Sequence, residues 1–244
     1  MRRVGAAAVL CACTAPLAAQ TPRIEDNSFL IEEAYNQEPG VVQHISTWQR
    51  SLRTSAWDFA FTQEWPVSTQ LHQASYTILL GQSARTGATF GGILLNYRYQ
   101  LTPAKGRVAI APRVTAIIPA HREHLGAQFE VPVSLRLGPG LVAHGNAGVM
   151  ETPRATTLYN LGGSVVWLAR PTFNVLCEVT WAAEQDASLF LVSPGVRWAY
   201  NFASGLQIVP GLAYTIGAGP SRGAEGAFLY LSFEHHFRGE SDRQ

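Results

Sequence analysis

Apolar and polar residues alternate along most of the chain, and the alternation is most regular over residues 125–137. Phe129 and four further apolar side chains share one face of this stretch, whereas Glu130 and Arg136 share the other. Alternation over about ten residues predicts a strand with a different solvent on each face, and this length can cross a membrane as a tilted strand. The stretch therefore predicts a transmembrane strand with one face toward lipid and one toward a lumen.

The same pattern repeats along the chain and predicts twelve strands, which cover approximately residues 41–50, 57–65, 70–80, 91–101, 108–118, 125–137, 141–150, 159–169, 173–181, 189–202, 206–216 and 226–237. Short links alternate with mostly longer ones, as they do in outer-membrane barrels, which have short periplasmic turns and longer outer loops. We therefore predict an all-β fold, a transmembrane antiparallel up-and-down β-barrel of about twelve strands over residues 41–237, with a polar tail over 238–244. Pro112, Pro132, Pro194 and Pro210 fall within strands, where we expect bulges.

The N-terminal region differs from the barrel in two ways. Arg2 and Arg3 precede an apolar run and a group of small residues that ends at Ala19, which predicts a signal peptide over residues 1–19 and export to the outer membrane of a Gram-negative cell. Good helix-capping residues at 26–28 predict a short helix over residues 29–36. Residues 20–40 are then either a periplasmic segment at the barrel mouth or a plug that places Glu32 and Glu33 in the lumen.

Composition narrows the classes of partner and chemistry. The 244 residues carry a formal net charge of +1, and only 14% are charged, so we expect no nucleic-acid partner. Removal of the signal peptide leaves Cys177 as the one cysteine, which excludes an internal disulfide. No spacing of His, Cys or carboxylate residues predicts a metal site or a cofactor.

Charged residues with inward parity are the candidate lumen site. Five of them should lie near mid-depth, where they either cross-link the wall as ion pairs or form a site; these are Arg98, Arg113, Glu130, Glu178 and Arg197. A competing enzymatic hypothesis rests on His144, which shares the inner face with Ser134, Ser164, Asn146 and Asn160. No Gly-x-Ser-x-Gly signature surrounds these residues, so we predict no catalytic residues and no enzyme.

Several stretches together resemble a family of outer-membrane transporters that is named through the meta-cleavage pathway of phenol degradation. They are residues 31–44, 193–197, 204–211, 219–223 and 228–235. The resemblance implies an outer-membrane transporter, with small hydrophobic or aromatic solutes as the expected cargo. Twelve strands enclose a narrower lumen than a sixteen-stranded porin, which favours small solutes. We expect outer-membrane lipid, the barrel-assembly machinery and a small-molecule solute as partners. The alternatives are a lipid or ester hydrolase based on His144 and a structural barrel without transport.

Overall fold

The computed structural model describes residues 23–83, 87–103, 106–120, 124–152 and 155–236. The predicted signal peptide and the polar tail lie outside these residues. The strands are β1 Val41–Ser51, β2 Trp57–Val67, β3 Thr69–Gln82, β4 Thr89–Tyr99, β5 Val108–Ile110, β6 Arg113–Pro119, β7 Gly126–Gly138, β8 Leu141–Glu151, β9 Leu158–Arg170, β10 Phe173–Glu184, β11 Ala187–Trp198, β12 Tyr200–Asn201, β13 Gln207–Gly217 and β14 Gly226–His236. A single 3₁₀ turn, Gly219–Ser221, is the one helical element of the described residues.

The strands close into one antiparallel barrel. β1 pairs with β2 on one side and with β14 on the other, so the first and last strands meet. β5 and β6 both pair with β7 and form one wall strand, interrupted at Ala111 and Pro112. β11 and β12 likewise both pair with β13 and form another, interrupted at Ala199. The wall therefore has twelve strands, as the alternation predicts.

The expectation of bulges at the four prolines is wrong for three of them. Pro112 lies at the interruption between β5 and β6, but no register shift occurs at Pro132, Pro194 or Pro210. A strand residue donates its single N–H to only one neighbour, so a proline removes one ladder hydrogen bond and leaves its carbonyl available. The N–H of Ala111, for example, still donates to the Pro132 carbonyl, at 3.2 Å.

The two faces of the wall have opposite character. Apolar side chains are exposed on the outside, among them Leu95, Val114, Phe129, Leu161, Val165, Val179, Leu212, Leu229 and Leu231. Their neighbours in sequence point inward and are buried, and many of these are polar, including Asn96, Thr115, Glu130, Ser164 and Glu178. Exposed Tyr97, Tyr99, Trp167, Tyr200 and Phe202 lie toward the end of the barrel that holds the chain entry at β1. This outer surface matches a lipid-facing barrel wall with an aromatic girdle.

Residues 23–40, called the lumen segment below, contain no helix, so the prediction of a helix over residues 29–36 is wrong. The segment lies inside the barrel in an irregular conformation, and Phe29, Ile31 and Ala34 are buried there. Its backbone groups are bound by side chains of the wall, which replaces the hydrogen bonds that a helix would supply internally. Within the described residues, no helix is long and apolar enough to cross a membrane.

Candidate functional site

The lumen segment runs into the barrel and back out of it. The N–H of Ile24 donates to the carbonyl of Pro171 in the β9–β10 turn, at 2.8 Å, so the segment enters at the end where β1 begins. Phe29 and Leu30 reach Glu178, midway along β10. The chain then returns to the same end, where Glu38 accepts a hydrogen bond from the N–H of Val41. The tip of this hairpin-like path lies near mid-depth in the lumen.

Acceptors on the wall bind the N–H groups of the lumen segment. Three successive N–H groups, of residues 29–31, converge on one carboxylate oxygen of Glu178, with N···O distances of 2.6, 3.1 and 3.4 Å. Further along, the N–H groups of Ala34, Asn36 and Gln37 donate to Ser134, Gln100 and Gln73 at 2.7–3.0 Å. Hydrogen bonds to a charged acceptor are stronger than neutral ones, so Glu178 is the main anchor of the tip.

Donors on the wall bind the carbonyl groups of the same segment. The Arg98 guanidinium donates to the carbonyls of Glu33 and Tyr35, and its Nε donates to Asn36 Oδ1 at 2.9 Å. Arg197, on the opposite part of the wall, donates to the carbonyls of Glu25 and Asn27. Both arginines are almost fully buried, with exposed fractions of 3% and 1%. The lumen is therefore lined with groups that satisfy an irregular backbone.

An apolar recess in the wall holds the ring of Phe29. We call it the aromatic recess and define it by Gly195, Gly211, Phe228 and Tyr230. A Cβ atom on Gly195 or Gly211 would lie 2.5 or 2.6 Å from the Phe29 ring, so the two glycines create the space that the ring fills. The rings of Phe228 and Tyr230 pack against it with centroid distances of 5.3 and 5.6 Å. Tilted aromatic contacts of this kind add to the free energy of burial.

The acidic residues of the lumen segment take different positions. The Glu32 carboxylate forms an ion pair with Arg113 and approaches Arg98 at 3.7 Å. Arg113 also bonds Glu130 on the neighbouring strand, at 2.5 Å. Glu33 instead accepts a hydrogen bond from the Asn27 side chain, at 3.2 Å. A cavity of about 200 Å³ adjoins the tip, and its lining combines Glu32, Arg98 and Arg113 with apolar side chains such as Ile31 and Ile45.

The five predicted lumen charges all point inward but do not form one cluster. Arg98, Arg113 and Glu130 surround Glu32, whereas Glu178 and Arg197 flank Phe29 on the other part of the wall. Arg113 and Glu130 are the one ion pair between wall residues in the described part of the chain. Neutral residues of the wall also hold the segment, and the sequence did not predict this role for them; they are Gln73, Gln100 and Asn174. The alternation of polar and apolar residues predicts that these side chains point inward. It does not predict their partners, because those are backbone atoms of the lumen segment.

The polar set around His144 also binds the lumen segment. His144 Nε2 lies 3.0 Å from the Asp26 carbonyl, which can only accept, so Nε2 is the donor. Its Nδ1 lies 2.8 Å from Ser134 Oγ, which itself accepts the N–H of Ala34. Ser134 has no exposed surface, and Ser164 is bonded to Ser28 at 2.5 Å. Ser134 and His144 therefore bond each other and also hold the segment, and Ser164 holds it through Ser28. The Asn146 amide bonds the backbone N–H and carbonyl of Glu32, at 2.9 and 3.0 Å, whereas Asn160 donates to Glu130 at 2.9 Å.

An acidic cavity of about 440 Å³ lies at the mouth where the segment enters, and Glu25, Asp26, Glu33 and Glu38 line it. Burial raises the pKa of Asp26 above its ordinary value; the charge of Glu33 adds to this shift, and His144 opposes it. Deprotonation of Asp26 is therefore less favourable with the segment docked than with it free in water. The described residues contain no group of three or more His, Cys, Asp or Glu side chains that could hold a metal ion.

Comparison with known proteins identifies the fold. No protein-family model and no curated protein matches the chain. Among solved structures, the NanC porin aligns with a TM-score of 0.58 at 7% identity and covers 81% of this chain and 100% of its own. The KdgM porin aligns with a TM-score of 0.56 at 7% identity, covering 81% and 99%. The CymD monoaromatic hydrocarbon channel aligns with a TM-score of 0.50 at 7% identity, covering 83% and 90%. At these identities the likeness establishes the fold, which is that of the porin-like outer-membrane β-barrels.

Proposed function

We propose that the protein is an outer-membrane channel for small hydrophobic or aromatic solutes, closed by its own lumen segment and opened when that segment leaves the wall. The observation that carries this proposal is the position of the segment tip. Phe29 fills a recess of the wall at mid-depth, and Glu178, Arg98 and Arg197 hold the surrounding backbone. The tip therefore obstructs the lumen at mid-depth, and a solute can pass there only after the tip has moved.

The aromatic recess supports the choice of cargo. Gly195 and Gly211 open a space of ring width in the wall, and Phe228 and Tyr230 border it with aromatic faces. When Phe29 leaves, the recess presents apolar surface to the lumen, which a small aromatic ring would cover again. Two further supports are the family resemblance of the sequence and the CymD neighbour, which is described as a monoaromatic hydrocarbon channel.

The wall and the sequences of residues 1–19 and of β14 support placement in the outer membrane. The exposed apolar belt needs lipid as its partner, because a patch of this extent is unfavourable in water. The sequence of residues 1–19 supports export. The last strand, β14, carries Leu229 and Leu231 on its exposed face after Gly226, a pattern suited to the barrel-assembly machinery.

Planar-bilayer recording with a deletion variant tests the proposal. Deletion of residues 26–36 should raise the single-channel conductance, because it removes the tip and leaves the wall strands intact. Benzyl alcohol should then interrupt the current of the deletion variant by entering the recess, whereas an aliphatic alcohol of similar size should interrupt it less. In the intact chain, benzyl alcohol should increase the fraction of time spent open.

The hydrolase hypothesis is tested in the same preparation. Ester hydrolysis is measured for the intact chain and for a His144→Ala variant, with protein-free liposomes as the blank. Channel activity with no His144-dependent hydrolysis is the expected result. Unchanged conductance after the deletion, together with hydrolysis that His144→Ala abolishes, would refute the channel proposal. The absence of both activities would leave a structural barrel and would refute it as well.

A further inference from the structure

We infer that the lumen contains a binding site for a solute carboxylate at Arg98 and Arg113, and that Glu32 occupies this site while the channel is closed. The inference rests on the proposed function, since the solute has to reach the lumen. It adds a chemical requirement that the aromatic recess alone does not make. The favoured solute would be a small aromatic monocarboxylate rather than a neutral aromatic.

Glu32 stands where the carboxylate of a solute would bind. All three ion pairs of the described residues involve Arg98 or Arg113, and Glu32 takes part in two of them. Its fit is nevertheless incomplete, because Glu32 Oε2 and Arg113 Nε are both buried without a hydrogen-bond partner. A guanidinium group can bind a planar carboxylate through two parallel hydrogen bonds. A solute carboxylate, free of the backbone constraint on Glu32, could pair both of its oxygens and also bind Arg113 Nε.

Departure of the segment would leave the Arg98 guanidinium without its present hydrogen-bond partners, which favours binding of an anion there. The three hydrogen bonds described for its guanidinium go to Glu33, Tyr35 and Asn36, all in the lumen segment. Arg98 is 3% exposed with the segment in place, so departure of the segment would open this cation to the lumen without its present partners. Hydrogen bonds from a guanidinium group to a carboxylate are stronger than those to neutral acceptors. A bound carboxylate would compensate this charge as Glu32 and the carbonyls do now.

The surroundings limit the ligand to a single negative charge. The cavity of about 200 Å³ beside the two arginines is lined by hydroxyl and amide groups of Thr47, Thr62, Thr77 and Asn96, and also by Glu64. Glu130 already pairs with Arg113, and Glu64 accepts a hydrogen bond from Gln73 at 2.9 Å. The wall around the cavity therefore carries two arginines and two carboxylates. Of the two segment carboxylates that line the cavity, Glu32 pairs with the arginines, whereas Glu33 bonds the Asn27 side chain. A monocarboxylate reproduces this balance, whereas a multiply charged anion would add repulsion.

One cavity offers apolar contacts for the ring of a solute and arginine side chains for its carboxylate. Phe29 and Tyr230 line the same cavity as Arg98 and Arg113, so one cavity runs from the aromatic recess to the arginine pair. A solute that enters this cavity would compete with the ring of Phe29 at one end and with the carboxylate of Glu32 at the other. Displacement and binding would then be one event, in which the correct solute opens the channel.

Benzoate and benzyl alcohol distinguish the acid requirement from the aromatic one. Both are titrated onto the intact chain and a Glu32→Gln variant in planar bilayers, with the open fraction as the readout. Glu32→Gln keeps the side-chain size and removes the competing charge. We expect the half-maximal benzoate concentration to fall about tenfold in Glu32→Gln, a change of about 1.4 kcal/mol. The benzyl alcohol response should change much less.

Substitution of the arginine locates the site. Adding Arg98→Gln to Glu32→Gln should abolish the preference for benzoate over benzyl alcohol while the response to benzyl alcohol persists. Should this double variant fail to insert, Arg98→Lys keeps the charge, loses the planar fork and should weaken benzoate selectively. Equal responses to benzoate and benzyl alcohol in every variant would overturn the inference and leave the channel proposal intact. A lack of response to both solutes in every variant would overturn both.

Discussion

Replacement of Phe29 by alanine is the sharpest perturbation of the closed lumen. The substitution removes the ring from the aromatic recess but keeps the backbone N–H that donates to Glu178 at 2.6 Å. It also leaves the wall unchanged, so the barrel itself should assemble as before. The expected result is a large increase in the open fraction.

The size of the effect follows from the burial of the ring. Phe29 is 9% exposed, and its ring contacts the backbone of two glycines and the rings of Phe228 and Tyr230. Loss of a buried phenylalanine ring costs about 3–5 kcal/mol where the site cannot collapse, and a hydrogen-bonded barrel wall has little freedom to collapse. Even about 3 kcal/mol would shift the closed-to-open ratio by roughly two orders of magnitude.

Single-channel recording of Phe29→Ala, Leu30→Ala and the intact chain measures this shift. Leu30 is the matched control, because it is the next residue of the same tip but is 39% exposed. Its truncation removes little buried surface and should change the open fraction less than tenfold. The same open fraction in Phe29→Ala and Leu30→Ala would refute the claim that the aromatic recess holds the segment in place.

Three further outcomes are expected. Cys177 is exposed on the outer face beside the buried Glu178, so a charged maleimide should not label it in intact membranes but should label it after denaturation; efficient labelling in membranes would contradict the assignment of that face. Gly211→Ala should raise the open fraction, since its Cβ would lie 2.6 Å from the Phe29 ring and meets only side chains; an unchanged open fraction would argue against the recess. Because the pKa of Asp26 is raised on docking, its contribution to docking is fully present below its ordinary pKa of 3.8 and is lost as the pH rises through the raised value. The open fraction should therefore increase with pH above 4, and Asp26→Asn should weaken that dependence; the remainder should come from Glu25, because burial raises the pKa of its carboxyl to about 8. An unaltered dependence in Asp26→Asn would contradict the contribution of Asp26.

The sequence predicts the barrel because every strand needs one apolar face toward lipid and one more polar face toward the lumen. Alternation places Val179 toward lipid and Glu178 toward the lumen, and repetition of that contrast fixes the strand number and the face of each residue. Pro112 interrupts its strand, yet β5 and β6 remain in one wall strand because both pair with β7. Pairing with the intact neighbouring strand β7 thus keeps the wall continuous across the interruption at Pro112.

The lumen segment could not be predicted in the same way. Its capping residues and glutamates favour a helix locally, but Glu178 binds the N–H groups of residues 29–31, and Arg98 and Arg197 bind nearby carbonyls. These contacts span 65 to 170 positions in sequence and satisfy the backbone without a helix. A local pattern carries no information about such distant partners.

A reversible cross-link between the segment and the wall tests the closure of the channel most directly. Ser28 Oγ and Ser164 Oγ lie 2.5 Å apart, close enough for a pair of cysteines at these positions to form a disulfide. The cysteine pair is placed in a chain that carries Phe29→Ala, so that openings are frequent. The same chain carries Cys177→Ser, which removes the exposed thiol of the wall. Ser28→Cys alone in the same chain is the control.

Single-channel conductance of this variant is recorded under oxidising conditions and again after addition of a reductant. We predict that the oxidised channel stays closed, that reduction restores the openings, and that the single-cysteine control opens in both conditions. Equal conductance of the oxidised and reduced channel, with the disulfide verified by mass spectrometry, would contradict closure of the lumen by residues 23–40.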